Sequence, residues 1–161
     1  MASSIPGVST LGTTFGYAFE TAAGTKPTTG WKQLTRINSI GGITIETETI
    51  DASALEDLVE KAVAGRGQTG AKFSVTVNLT DDTISEWTTL ISSSKTQLAA
   101  GKSTWFQINF PNLQKAYFVV AEPPSMIPQP AVDQNGLLTA EMTLTINDFK
   151  GMDTKVAFSA S

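Results

Sequence analysis

Apolar and polar residues alternate along several stretches of this chain, which is the pattern of strands with one buried face. In the clearest stretch, residues 71–79, every second residue from Phe73 onward is apolar. The same pattern predicts strands at 43–50, 105–110, 115–121 and 140–147, with a closing strand at 155–158. A short Pro-Asn-Leu-Gln loop joins 105–110 to 115–121 and predicts a hairpin. Prolines interrupt residues 122–136, so that stretch is predicted to be a surface connector.

Two segments have apolar residues at helical spacing instead. Residues 82–95 carry the stripe Ile84, Trp87, Leu90 and Ile91, and Thr83 with Glu86 has capping-box spacing. This segment predicts a helix with Trp87 in the core. A second stripe, which ends at Gly65, is typical of either a short helix or a long loop between two strands. Its apolar residues are Leu55, Leu58, Val59, Ala62 and Val63.

Together the elements predict a mostly β fold, a β-sandwich or small barrel with one flanking helix, long arms and a long inter-strand loop. Residues 1 to about 30 are rich in Gly, Thr, Ala and Ser and predict an N-terminal arm. Within it, the alternating Phe15, Tyr17 and Phe19 could form a short strand. We expect residues 31–161 to form a single domain, with the loop at 51–70 and the helix at 82–95.

Composition limits the chemistry of the chain. It has no histidine and no cysteine, which excludes Ser–His–Asp and Cys–His nucleophiles and zinc–thiolate sites. This exclusion leaves three kinds of site possible: carboxylate pairs, Ser–Lys pairs and oxygen-ligated Mg²⁺ or Ca²⁺ sites. We nevertheless expect no catalytic residues, metal or cofactor. The formal charge of −4 at pH 7 disfavours binding to phosphate backbones. No stretch has the length and apolarity of a membrane span.

Two short motifs match nucleotide-binding patterns in the wrong context. Residues 65–70 spell G-x-G-x-x-G, but a helical stripe precedes them and a strand follows, which is the reverse of a dinucleotide site. We interpret them as a helix end and a tight turn. Gly101-Lys102-Ser103 resembles the end of a P-loop but leads into a strand.

Between Glu46 and Glu60 the charged side chains are all acidic, which is typical of a solvated face or of a surface that repels an anion.

The first half of the chain resembles the tail tube (major tail) proteins of tailed bacteriophages. The similarity includes Ala23-Gly24-Thr25-Lys26-Pro27, Trp31-Lys32-Gln33-Leu34, the strand 43–50 with Asp51-Ala52-Ser53, Leu55-Glu56-Asp57, and Ala64-Gly65-Arg66-Gly67-Gln68-Thr69-Gly70. The second half agrees in the order of its elements.

This resemblance implies a virion subunit that is made in the bacterial host cytoplasm. It implies hexameric rings that stack into a tube conducting DNA during ejection, without specific DNA binding and without a membrane. Tape measure, tail terminator and baseplate proteins are the implied partners. The arms and the loop 51–70 would carry the contacts between rings. The loop residues concerned are Asp51, Leu55, Leu58, Val59, Val63, Gly65, Arg66 and Gly70.

A wall that conducts DNA must not attract phosphate, so the polar face of one sheet is predicted to line the lumen. Glu46, Glu48 and Glu141 are the candidate lining residues.

Two alternatives to a phage tail tube remain open. One is the tube of a related machine, such as an Hcp-like tube of a type VI secretion system or a phage-derived bacteriocin. The other is a carbohydrate-binding β-sandwich with Trp31, Trp87 or Trp105 as its stacking platform. Of these, Trp87 is predicted to lie in the core, and either Trp105 or its neighbour Phe106 is predicted to face outward or into an interface.

Overall fold

A computed structural model describes residues 11–43, 45–51, 62–69 and 72–158, with the backbone alone for 45–51 and 62–69. Its strands are β1 (Thr14–Phe19), β2 (Lys32–Leu34), β3 (Ile37–Ile40), β4 (Ile45–Asp51), β5 (Ala62–Thr69), β6 (Lys72–Asn78), β7 (Thr104–Asn109), β8 (Lys115–Glu122) and β9 (Thr139–Thr154). One helix, α1 (Asp81–Ala99), lies between β6 and β7. In the described part of the chain, no helix is both long and apolar enough to cross a membrane.

Seven strands form one antiparallel sheet in the order β2-β1-β7-β8-β9-β6-β3. The two edge strands, β2 and β3, are separated in sequence only by Thr35 and Arg36. Three residue steps span at most roughly 11 Å, so the opposite edges of the sheet must come close together at this point. The sheet therefore curls into a small barrel, which confirms the mostly β fold with one flanking helix.

The main core fills the inside of this curl. The alternation predicted for β6 places Phe73, Val75 and Val77 there, and all three are buried. Phe15 on β1 stacks against Phe106 on β7 with ring centroids 5.5 Å apart. The predicted helix is confirmed, and its buried Trp87 and Leu90 join the same cluster.

The helix begins and ends differently from its prediction. Thr80 is the N-cap, and its hydroxyl accepts a hydrogen bond from the Thr83 N–H at 3.2 Å while the Thr83 hydroxyl accepts from the Thr80 N–H at 2.8 Å. Glu86, the predicted partner in the capping box, instead accepts hydrogen bonds from Thr35 N–H and Oγ1. This contact ties α1 to the short link that joins the two edges of the sheet.

The predicted N-terminal arm differs from the structure over residues 14–31. β1 is an inner strand of the sheet, paired with β2 on one side and β7 on the other. In the sequence, the alternating aromatic residues indicate this strand. Its place within the sheet is favoured because Phe15 and Tyr17 are buried there. Residues 1–10 lie outside the described residues.

β4 and β5 pair with each other as a separate two-stranded antiparallel sheet. Ala62 and Val63 are therefore strand residues, and the helix prediction is wrong for them. The predicted turn at 65–70 is also wrong over residues 65–69. Thr47 pairs with Gly67 and Thr49 with Ala64, so two residues of β5 oppose the single residue between them on β4. Such a bulge accommodates Gly65 within a strand. Leu55, Leu58, Val59 and Gly70 lie outside the described residues.

Candidate functional surfaces on the outer face of the sheet

The outer face of the seven-stranded sheet is divided into a covered apolar half and an exposed polar half. The apolar half lies on β1, β7 and β8 and forms a second buried cluster. Its fully buried members are Ala18, Trp31, Trp105, Ala116, Phe118 and Val120. Phe106 belongs to the inner core and Trp105 to this outer cluster, so the two neighbours lie on opposite faces of the sheet, but neither is exposed, because other segments of the chain cover Trp105. β7 is covered on both faces at this point.

One cover of the apolar half is the C-terminal strap, defined here as residues 155–158. The sequence predicted a closing strand, but no strand forms there. Gln107, fully buried on β7, binds the strap through its side-chain amide instead. Its Nε2 donates to the Val156 carbonyl at 2.9 Å, and its Oε1 accepts from the Val156 N–H at 3.0 Å. Lys155 Nζ donates to the Phe110 carbonyl at 2.6 Å.

Phe158 ends the described strap and lies on Gly16 of β1. A Cβ added to Gly16 would lie 2.2 Å from the Phe158 ring, so only glycine leaves room for that ring. The strap thus crosses the sheet from β8, over Gln107 on β7, to Gly16 on β1. Val156 and Phe158 pack against the apolar cluster beneath them.

The other cover is the N-terminal loop, residues 20–31. Lys26 Nζ lies 3.1 Å from Asp153 Oδ2, donates to the Thr154 carbonyl at 3.0 Å, and lies 4.0 Å from the centroid of the Phe118 ring. The pKa of Asp153 is lowered, first by the hydrogen bond from the Thr154 N–H and then by Lys26. Trp31 Nε1 donates to the Pro27 carbonyl at 2.9 Å. The residues around Lys26 and Trp31 that carry the sequence resemblance therefore fasten this loop to the sheet.

A buried carboxylate completes the same corner. Glu20 is 5% exposed, and its Oε2 accepts from Trp105 Nε1 at 3.0 Å while its Oε1 accepts from the Ser103 N–H at 2.7 Å. Sequence reasoning missed Glu20 and Gln107. The signal available for Gln107 was a single amide between two apolar neighbours in a strand.

The exposed polar half lies on β6 and the first part of β9. Ser74 pairs with Thr143, Thr76 with Glu141, and Lys72 with Thr145. Within the paired stretches 72–78 and 139–145, the charged side chains are Lys72 and Glu141, and both are exposed. The surface is therefore rich in hydroxyls and close to neutral.

The structure places one predicted lumen residue on this polar half. Glu141 is exposed and lies opposite Thr76. Glu46 and Glu48 are on β4, in the separate two-stranded sheet where the backbone alone is described, so a common lining surface with Glu141 stays a prediction.

The chemistry of the described residues is limited. Among them, no group of three or more acidic side chains is arranged to hold a metal ion. Trp31, Trp87 and Trp105 are all buried, between 0% and 4% exposed. A stacking platform for sugars needs an exposed ring face, so the predicted tryptophan platform is wrong.

A scan against protein-family models and a search of curated proteins found no match. Among solved structures, a chain of the anti-feeding prophage baseplate, symmetrised six-fold, is 15% identical with a TM-score of 0.55, and the alignment covers 94% of this chain and 98% of that one. A chain from the tail of an empty gene transfer agent particle, refined with C6 symmetry, is 18% identical with a TM-score of 0.48, covering 78% and 87%. A chain of the native gene transfer agent virion is 18% identical with a TM-score of 0.44, covering 78% and 89%. The alignment over nearly all of both chains shows that this protein has the fold of a component of the anti-feeding prophage baseplate, which confirms in the fold the resemblance found in the sequence.

Proposed function

We propose that this chain is a non-enzymatic structural subunit of a phage tail, which self-assembles into stacked hexameric rings and forms the tube through which DNA is ejected. The observation that carries the proposal is the fold shared almost end to end with a chain of a six-fold symmetric prophage particle. The virion tail is then its location. Tape measure, tail terminator and baseplate proteins are its proposed partners.

The two halves of the outer sheet face support a role in a tube wall. A subunit of a conduit needs one hydrated surface that does not bind the cargo moving along it, and the neutral polar half on β6 and β9 has that character. It also needs a rigid scaffold, which the strapped apolar half supplies. The edge strands β2 and β3 each have an unpaired side in the described sheet, and neighbouring copies in a ring would cover such edges.

The hairpin β4–β5 supports a contact between rings. It forms a sheet of its own, and an isolated two-stranded hairpin is marginally stable in water. We place the ring-to-ring contact on residues 51–70, which contain this hairpin's second strand. The predicted contact residues Asp51, Val63, Gly65 and Arg66 lie on β4 and β5.

Electron microscopy of the purified protein tests self-assembly. We expect concentrated wild-type protein to form hollow tubes with six-fold rings in negative stain. Leu58→Asp should leave a folded monomer that forms no tubes, because a charge would replace an apolar contact between rings. Thr88→Asp, which adds the same charge on the exposed surface of α1, should assemble as the wild type does. Wild-type protein that stays monomeric at high concentration would contradict the proposed function, and an unfolded Leu58→Asp variant would place Leu58 in the core of its own subunit.

The charge of the polar half can be tested separately. Glu141→Lys, alone and together with Glu46→Lys and Glu48→Lys, should give tubes that assemble but retain DNA, since each ring would then present lysines to phosphate. The retention should weaken as salt rises, because charges are screened beyond roughly 8–10 Å at physiological ionic strength. Ser92→Lys on the outer surface of α1 serves as the control and should leave DNA retention unchanged. DNA retention equal to that of wild-type tubes would show that these residues do not line the lumen.

A second candidate is the tube of a phage-derived particle that does not carry DNA, such as a bacteriocin or an Hcp-like tube. The observation that favours it is the fold shared with the anti-feeding prophage chain. Genes for a capsid and for DNA packaging beside the gene for this chain would support the DNA-conducting tail. Their absence from a complete gene cluster would support the second candidate.

A further inference from the structure

An apolar groove opens at the mouth of the barrel, beside edge strand β3. Its volume is about 960 Å³. Its apolar walls include Ile40, Ile43, Ile108, Phe110, Tyr117 and Phe149, and none of the described residues that line it is charged. Two lysines lie beside it. Lys155 is bonded to the carbonyl of Phe110, and Lys115 is on the same side of β8 as Tyr117, two residues away.

An exposed apolar segment lies at the other end of the strands. This segment, the connector, comprises residues 123–138 between β8 and β9. Of the eight large apolar residues exposed in the described chain, four belong to it. They are Met126 at 79%, Val132 at 76%, Leu137 at 70% and Leu138 at 48% exposure. Its only charged side chain is Asp133. Large exposed apolar surfaces mark interaction sites, so four such side chains within one segment make the connector a candidate for one.

The groove and the connector lie at opposite ends of β6. The groove residue Gly41 donates its N–H to the carbonyl of Ser74, whereas Leu79 donates its N–H to the carbonyl of Leu138 in the connector. Five residue steps along β6 separate Ser74 from Leu79, which is roughly 17 Å. No connector residue lines the groove of its own copy, so the groove is open to the connector of a second copy.

We propose that the connector of one copy docks in the groove of the next copy, head to tail. Both surfaces are mostly apolar, and the acidic Asp133, the one charged residue of the connector, complements Lys115 and Lys155 beside the groove. Because the two surfaces differ and lie at opposite ends, the contact is heterologous and repeats from copy to copy. This inference rests on the proposed self-assembly and names one contact that joins the subunits of the tube.

Cysteine cross-linking tests this contact directly, because the natural chain has no cysteine to interfere. Gly42, at the lip of the groove, has no atom within 4 Å of an added Cβ, so Gly42→Cys leaves the fold intact. Combined in turn with Met126→Cys, Val132→Cys and Leu137→Cys, it should give disulfide-linked chains of several subunits once tubes are oxidised. Disulfides need Cα atoms within about 7 Å, so cross-linking reports direct contact.

Two controls separate the possible results. Gly42→Cys with Thr88→Cys on α1 should stay monomeric on a denaturing gel. Mixing protein that carries only Gly42→Cys with protein that carries only Val132→Cys should give dimers and no longer chains. Tubes that assemble without a cross-link at any of the three connector positions would overturn this inference and leave the proposed function standing. A cross-link confined within single subunits would also overturn it. Wild-type protein that forms no tubes would contradict the proposed function itself.

Discussion

Replacement of Trp87 by alanine should lower the free energy of unfolding of the subunit by about 3–5 kcal/mol. Trp87 is fully buried and is the largest side chain that α1 contributes to the core of the barrel. Its removal leaves a cavity between the helix and the strands, which relax only partly. Since a domain of this size is stable by about 5–15 kcal/mol, the loss takes a large share of the total. Urea unfolding of the monomer measures it.

Two further variants separate packing from polarity at this position. The indole Nε1 of Trp87 is buried without a hydrogen-bond partner among the described residues. Trp87→Phe removes that N–H and keeps most of the apolar contact, so it should cost much less than Trp87→Ala. Ile84→Ala on the same helix is the matched control, because Ile84 is 40% exposed, and it should cost about 0.5 kcal/mol. A Trp87→Ala variant as stable as that control would show that the helix is not anchored through this residue.

The strands that face water on one side were the most predictable part of the fold. β6 and the first part of β9 alternate between buried positions and half-buried or exposed ones. A period of two in the sequence therefore translates directly into the two faces of the sheet. The polar half of the outer face, with Glu141 among its residues, could be predicted for this reason.

The covered half could not be predicted in the same way. β7 is buried at five consecutive positions from Thr104 to Ile108, because both of its faces are packed. The segments that cover its outer face are the N-terminal loop and the C-terminal strap. The contact that fastens this loop to the end of β9 joins Lys26 and Asp153, which are 127 residues apart in sequence. Local periodicity carries no information about such distant cover. The adjacent Trp105 and Phe106 were the available signal, since two consecutive aromatic residues in a strand are typical of burial on both faces.

The glycine-rich stretch 65–69 shows a different limit. Gly65, Gly67 and Gly70 suggested a turn because glycine is the commonest residue at helix ends and tight turns. Pairing with β4 overrides this local preference, and the bulge opposite Glu48 takes up the residue that does not fit the ladder. Local propensity predicted a turn where the structure has a strand, because pairing with a neighbouring strand determines the secondary structure here.

Gly16→Ala should destabilise the subunit by about 1–3 kcal/mol, which is the usual cost of inserting a methyl group into a well-packed site. Two groups oppose the new Cβ. The Phe158 ring would lie 2.2 Å away and the backbone carbonyl of Lys32 2.5 Å away. The ring can turn aside, but the carbonyl belongs to β2, which is paired with β1 at this position. Gly42→Ala, where the added Cβ meets open space, is the control and should change stability by no more than about 0.5 kcal/mol.

A double-mutant cycle with Phe158→Ala then tests whether Gly16 serves the C-terminal strap. If the ring is one of the two obstacles, the double variant should be more stable than the sum of the two single losses predicts, by about 0.5–3 kcal/mol. The remaining loss is the clash with the Lys32 carbonyl, which Phe158→Ala cannot relieve. In Gly16→Ala alone, displacement of the ring should also loosen the strap, so trypsin should cut after Lys155 faster than in the wild type. Losses that add without any coupling, together with an unchanged rate of cleavage, would show that the Phe158 ring does not depend on Gly16. The strap would then be held by the hydrogen bonds of Gln107 and Lys155 and by the packing of Val156.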